Sequence, residues 1–84
     1  MALIPAHPFG AVLLEARTAS TLTRDELAAR ARITRSHLHK MEAGRRPPSI
    51  HTFAALVFAL GVQGEALLAW LALFLPAPPR DVGL

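Results

Sequence analysis

Leu22-Thr23-Arg24-Asp25-Glu26-Leu27-Ala28-Ala29-Arg30-Ala31-Arg32-Ile33-Thr34-Arg35-Ser36-His37-Leu38-His39-Lys40-Met41-Glu42-Ala43-Gly44 decides the fold. Thr23-Arg24-Asp25-Glu26 is a capping box: the threonine hydroxyl takes the Glu26 N–H, and the Glu26 carboxylate reaches back to the Thr23 N–H. Asp25 and Glu26 also suit the positive end of a helix dipole. Leu27, Ala28 and Ala31 then form a narrow apolar face whose small residues let a second helix approach closely. Arg32-Ile33 makes a tight connection. Thr34 caps a further helix running to about Ala43, with Leu38 and Met41 on its buried side and Arg35, Ser36, His37, His39 and Lys40 on the other.

Outward from this pair, the punctuation suits three more short helices. Gly44 is placed as a C-cap, and Arg45-Arg46-Pro47-Pro48 cannot continue a helix. Ser49 caps the next, with Ile50, Phe53, Leu56, Val57 and Leu60 expected to face inward and Gly61 to end it. A last helix is expected over 64–75, stopped by Pro76, Pro78 and Pro79, with 76–84 a disordered tail. On the other side, 1–7 is an arm and Pro8 opens a helix at its first position. Phe9, Leu13 and Ala16 share one face of that helix, which fades near Ser20 and Thr21. Strand signals are almost absent, so the expectation is an all-α domain of five helices over 8–75, with a helix-turn-helix at the second and third.

The 84 residues suffice for one domain, and 52% hydrophobic residues point to a packed fold. No cysteine is present, which removes disulfides and thiolate metal sites. The formal net charge is +3. From Thr23 to Arg46, seven cations (Arg24, Arg30, Arg32, Arg35, Lys40, Arg45, Arg46) face three acids (Asp25, Glu26, Glu42), a local surplus of four that exceeds the whole. Such a concentration suits a polyanion, or is a solvated basic surface. Residues 66–75 carry no charge, but ten residues fall short of the roughly 20 that a membrane span needs. The first eight residues lack the basic region of a secretory signal, so the expected location is cytoplasmic. No paired carboxylates, activated nucleophile or phosphate-cradling glycine loop appears, so an enzyme is not expected and no cofactor is implied. His37 and His39 point about 200° apart on a helix, against the i, i+4 spacing of a two-His metal site, so no metal is expected. His7 and His51 show no partner in the sequence.

The chain resembles the lambda-repressor/Cro-like (XRE-type) helix-turn-helix DNA-binding domains. The resemblance is carried by Phe9-Gly10 with Leu13 and Arg17, and by Leu22-Thr23-Arg24-Asp25-Glu26-Leu27-Ala28. It continues through Ile33-Thr34-Arg35-Ser36-His37-Leu38, Met41-Glu42-Ala43-Gly44-Arg45-Arg46, Pro48-Ser49-Ile50 and Leu60-Gly61-Val62, spanning about 9–68 without a gap. It implies a five-helix lambda-repressor-like domain whose third helix enters the major groove of double-stranded DNA. Base-reading positions then fall on Arg35, Ser36 and Lys40, with Thr34 beside them. Phosphate-contact positions fall on Arg24, Arg45, Arg46 and Ser49, with His37 and His39 as further contacts to phosphate or base. The resemblance also implies a structural salt bridge between Arg17 and Glu42. Arg24 stands where the family often has Gln, and Arg32 and Thr21 stand where it commonly has Gly.

Residues 66–75 are apolar all round. Leu67, Leu71 and Phe74 can serve the domain core, leaving a patch that a soluble monomer rarely exposes. The expected homodimer interface is Leu68, Trp70, Leu73, Phe74 and Leu75, and a symmetric dimer suits a palindromic operator. The expected function is a sequence-specific transcriptional regulator, a homodimeric repressor. The alternative is an antitoxin-like or other interaction module whose fifth helix binds a different protein. A short controller protein of a restriction–modification or phage system would have the same dimensions.

Overall fold

The computed structural model describes residues 6–75. Most of the expected arm (1–5) and the expected tail (76–84) lie outside the described residues. Five helices follow in order: α1 (Phe9–Ala19), α2 (Arg24–Ala31), α3 (Arg35–Glu42), α4 (Ile50–Leu60) and α5 (Gly64–Ala72). There is no strand among the described residues.

The caps explain where three helices begin. Thr23, Thr34 and Ser49 each accept a backbone N–H three residues on, from Glu26, His37 and Thr52. At Thr23 the box is complete, because the Thr23 N–H donates to Glu26 Oε1 at 2.9 Å. The start of α1 differs from expectation. Pro8 precedes the helix, and the His7 ring supplies the cap: its Nδ1 accepts the Phe9 N–H at 3.1 Å.

The first four helices end alike. At Thr21, Arg32, Gly44 and Gly61 the chain turns through positive φ, at 57°, 57°, 76° and 68°. The following N–H then reaches back five residues: Leu22 to Arg17, Ile33 to Ala28, Arg45 to Lys40 and Val62 to Val57. This is the Schellman ending, which satisfies carbonyls otherwise orphaned at a helix terminus. Two glycines adopt that conformation without cost, whereas Thr21 and Arg32 hold it against their Cβ atoms. The end of α5 is tightened instead. Leu73, Phe74 and Leu75 donate to carbonyls three residues back, so the helix stops at Ala72, short of the expected 75.

α2 lies against α3 and α4, and α1 lies against α3. The core is Phe9, Leu13, Leu27, Ala28, Ala31, Leu38, Met41, Phe53, Leu56 and Trp70. Burying one such leucine is worth about 1.5–3 kcal/mol, so Leu13, Leu27, Leu38 and Leu56 anchor four helices at once. α1 meets α3 closely. A Cβ on Gly10 would stand 2.6 Å from the Met41 carbonyl oxygen and 2.7 Å from that of Glu42, a distance only glycine permits.

The rotation of α5 corrects two expectations. Trp70 is buried, edge-on to Phe9 with ring centroids 5.2 Å apart, and so belongs to the monomer's core rather than to an interface with another chain. Leu73 is half-buried beside it. Leu71, expected inward, is 40% exposed. Phe74 borders the same aromatic cluster, 5.3 Å from both Phe9 and Phe53, and His7 stacks on it at 5.0 Å. An all-apolar helix has no polar face to set its rotation, and the aromatic rings of α1 and α4 set it here. Ile50 is a further correction: expected inward, it is 72% exposed at the first turn of α4.

Candidate nucleic-acid interface

The polar side of α3 stands clear of the domain. Thr34, Arg35, Ser36, His39 and Lys40 are exposed and His37 is half-buried, while Leu38 and Met41 fix the opposite side in the core. The Thr34 hydroxyl is engaged as the helix cap. Arg35 Nε lies 3.5 Å from Asp25 Oδ1, tying the first turn of α3 to the first turn of α2. Both side chains are more than 60% exposed, so this pair contributes little stability.

The phosphate-contact candidates flank α3. Arg45 and Arg46 are exposed just past the end of α3, beyond its Ala43 C-cap and Gly44, and Ser49 is exposed at the start of α4. Ser49 Oγ accepts the Thr52 N–H and donates to Thr52 Oγ1, leaving the N-terminus of α4 ordered and open. Helix N-termini present free N–H groups and positive partial charge to anions. Among the described residues no group of three or more His, Cys, Asp or Glu is arranged to hold a metal ion, and no helix is long and apolar enough to cross a membrane.

Glu42 joins these elements from below. Its side chain is 2% exposed. Arg17 Nε donates to Oε2 at 2.6 Å and Arg17 Nη2 to Oε1 at 3.3 Å, while Arg17 Nη1 donates to the Leu22 carbonyl at 3.0 Å. Arg24 Nε donates to Glu42 Oε1 at 2.8 Å. One buried carboxylate thus binds guanidiniums from α1 and α2 to the last residue of α3. The family resemblance implied only Arg17 as a partner for Glu42. No local sequence signal pairs Arg24 with Glu42, which lies 18 residues away on another helix.

The side chains brought together are therefore an exposed α3 surface, a braced α2–α3 corner and flanking cations. Exposed apolar residues lie elsewhere: Ile50 and Phe58 on α4, Leu68 and Leu71 on α5, and Leu75 just past its end. A shallow apolar cavity of about 220 Å³, lined by Pro48, Ser49, Ile50, Phe53, Leu71 and Phe74, opens between those two helices.

Comparison with known proteins agrees with this geometry. The family described as "Helix-turn-helix domain" matches residues 8–71. Among solved structures, the restriction-modification controller protein C.AhdI from Aeromonas hydrophila is 34% identical, with 70% of this chain and 89% of that chain covered and a TM-score of 0.65. The clp gene regulator ClgR from C. glutamicum is 27% identical, with 82% and 91% covered and a TM-score of 0.68. No curated protein matches. With its five helices and its matched span from the first turn of α1 to the last of α5, the chain belongs to the helix-turn-helix domain family of DNA-binding transcriptional regulators.

Proposed function

We propose that the protein is a homodimeric repressor that binds a palindromic operator in the cytoplasm. The observation that carries this reading is the exposed polar face of α3, held by a core on one side and by Glu42 at its end. In this reading α3 lies in the major groove. Arg35 and Lys40 reach guanine O6 and N7, and Ser36 and Thr34 make neighbouring contacts. Arg24, His37, His39, Arg45, Arg46 and Ser49 take phosphates, setting register and affinity without reading sequence.

The dimer face is α5 with the start of α4. Leu68 and Leu71 are exposed one turn apart on α5, Leu75 is exposed just past its end, Phe74 is 37% exposed, and Ile50 adjoins Leu71 and Phe74 across the shallow cavity. A second copy covers such a face symmetrically and places two α3 helices about 34 Å apart, one turn of DNA. The similarity to the restriction-modification controller protein C.AhdI favours a short regulator of that kind.

The test is selection from random-sequence duplexes, followed by sequencing. An enriched palindrome with half-sites about one helical turn apart is the expected result. Duplex binding without any enriched sequence overturns specific regulation. A stable complex with another protein, in a chain without duplex affinity, supports an interaction module instead; the exposed apolar face of α5 is the observation favouring that second reading.

A further inference from the structure

We propose that Glu42 is a positioning residue for DNA binding, acting by holding the Arg24 guanidinium in the orientation in which it meets the DNA backbone. This rests on the reading above that Arg24 contacts phosphate. Arg17 alone neutralises Glu42, through two hydrogen bonds, and has the Leu22 carbonyl besides. Arg24 is thus a surplus cation on an already paired carboxylate, and the three groups together carry one net positive charge. Its attachment is specific. Nε donates inward to Glu42, and neither terminal nitrogen is used by a hydrogen bond among the described residues.

Those terminal nitrogens are a phosphate's bidentate partners. The side chain is 36% exposed, whereas Glu42 is sealed below it. Arg24 also opens α2, one residue before Asp25, whose carboxylate meets Arg35. A single buried carboxylate therefore orients a cation at the edge of the same surface that presents Arg35. A guanidinium held in advance loses less rotamer freedom on meeting its ligand.

This reading and simple electrostatics predict opposite signs. Glu42→Gln adds one positive charge to the protein, which by itself tightens binding to a polyanion. The positioning role predicts weaker binding. The measurement is the affinity of the full chain for a labelled random-sequence duplex across a salt series, since nonspecific binding reports backbone contacts. Wild type, Glu42→Gln, Arg24→Gln and the double variant are compared, each first shown folded by circular dichroism.

Glu42→Gln is expected to weaken binding by about two- to tenfold, the range set by one newly unrestrained side chain. Arg24→Gln is expected to lower the salt slope by about 0.9, one phosphate contact. The double variant is expected to bind no worse than Arg24→Gln. Unchanged or tighter binding by Glu42→Gln, or penalties that simply add, overturns the proposal. Should Glu42→Gln not fold, Arg24→Lys decides: it keeps the charge and loses the Nε donor, and wild-type affinity in that variant overturns the proposal. A wild-type chain with no duplex affinity overturns the underlying functional reading as well, and is seen before any variant is compared.

Discussion

Arg17 and Glu42, 25 residues apart in sequence, are joined by two hydrogen bonds at the junction of α1 and α3, with 13% and 2% of their side chains exposed. The carboxylate sits where water cannot replace a lost partner. Arg17→Ala leaves Glu42 with Arg24 alone. Removing one partner of a buried pair costs about 3–5 kcal/mol, and the remaining Arg24 bond places this variant near 3. Urea unfolding followed by circular dichroism gives the value; a loss below about 1 kcal/mol would show the pair to be solvated, as surface pairs are.

Gly10 supplies a second prediction. A methyl at this position meets the backbone oxygens of Met41 and Glu42 and the Gly44 nitrogen, all within 2.8 Å, and none of these is a flexible side chain. Gly10→Ala is expected to destabilise by about 1–3 kcal/mol, the range for overpacking, despite alanine's higher helix propensity. Thermal melting of the two chains side by side tests this, and equal or raised stability would contradict the close approach.

Thr21 and Arg32 predict gains rather than losses. Each holds φ at 57° with a side chain, and Thr21 is β-branched. Left-handed backbone costs an L-residue about 1–2 kcal/mol. Glycine removes that cost and adds about 0.4–1 kcal/mol of unfolded-state entropy. Thr21→Gly and Arg32→Gly are each expected to stabilise by roughly 0.5–1 kcal/mol, with Thr21→Gly the larger. A drop in melting temperature for both would mean that their side chains hold contacts worth more than the strain.

The capping box makes stability depend on acidity. The Thr23 backbone N–H, and then its hydroxyl, hold the Glu26 carboxyl below its ordinary value of 4.5 in the fold. A group depressed on folding stabilises fully above its unfolded pKa and loses that contribution as pH falls through its folded one. Stability is therefore expected to decline as pH drops from about 5 through the range below 4.5. In Glu26→Gln the same titration, followed by urea midpoints at each pH, is expected to be flatter. An unaltered pH profile would remove Glu26 from the account.

Recognition yields the last prediction, which belongs to the proposed function. Arg35→Ala is expected to relax preference at one base pair per half-site, at a cost of about 1–3 kcal/mol for the preferred base. Arg46→Ala is expected instead to weaken binding evenly across sequences and to reduce the salt slope by about one. Competition binding with single-base operator variants separates the two patterns, and uniform weakening by Arg35→Ala would assign it to the backbone.

The helix starts were legible because they rest on local chemistry. Thr23, Thr34 and Ser49 cap within three residues of themselves, so a short stretch of sequence holds the whole interaction. The side chains of α3 divided as expected for the same reason, with Leu38 and Met41 inward and the basic residues outward. The rotation of α5 was not legible. Its residues are nearly all apolar, and Trp70 turned inward because Phe9 and Phe53, from two other helices, offer ring edges and faces there. Ile50 was misplaced by similar reasoning, since it fits an inward stripe but lies one turn beyond the packed part of α4. The second partner of Glu42 and the ring cap of His7 also depend on proximity between distant segments, which local pattern does not contain.

The burial of Trp70 has an optical consequence. The chain holds one tryptophan and no tyrosine, so its near-ultraviolet emission comes from a single indole. That indole is on α5, wedged against Phe9 of α1 and Phe53 of α4. Its emission wavelength is therefore a native gauge of whether the last helix is seated on the domain, readable without a label and separate from the far-ultraviolet signal of the other four helices.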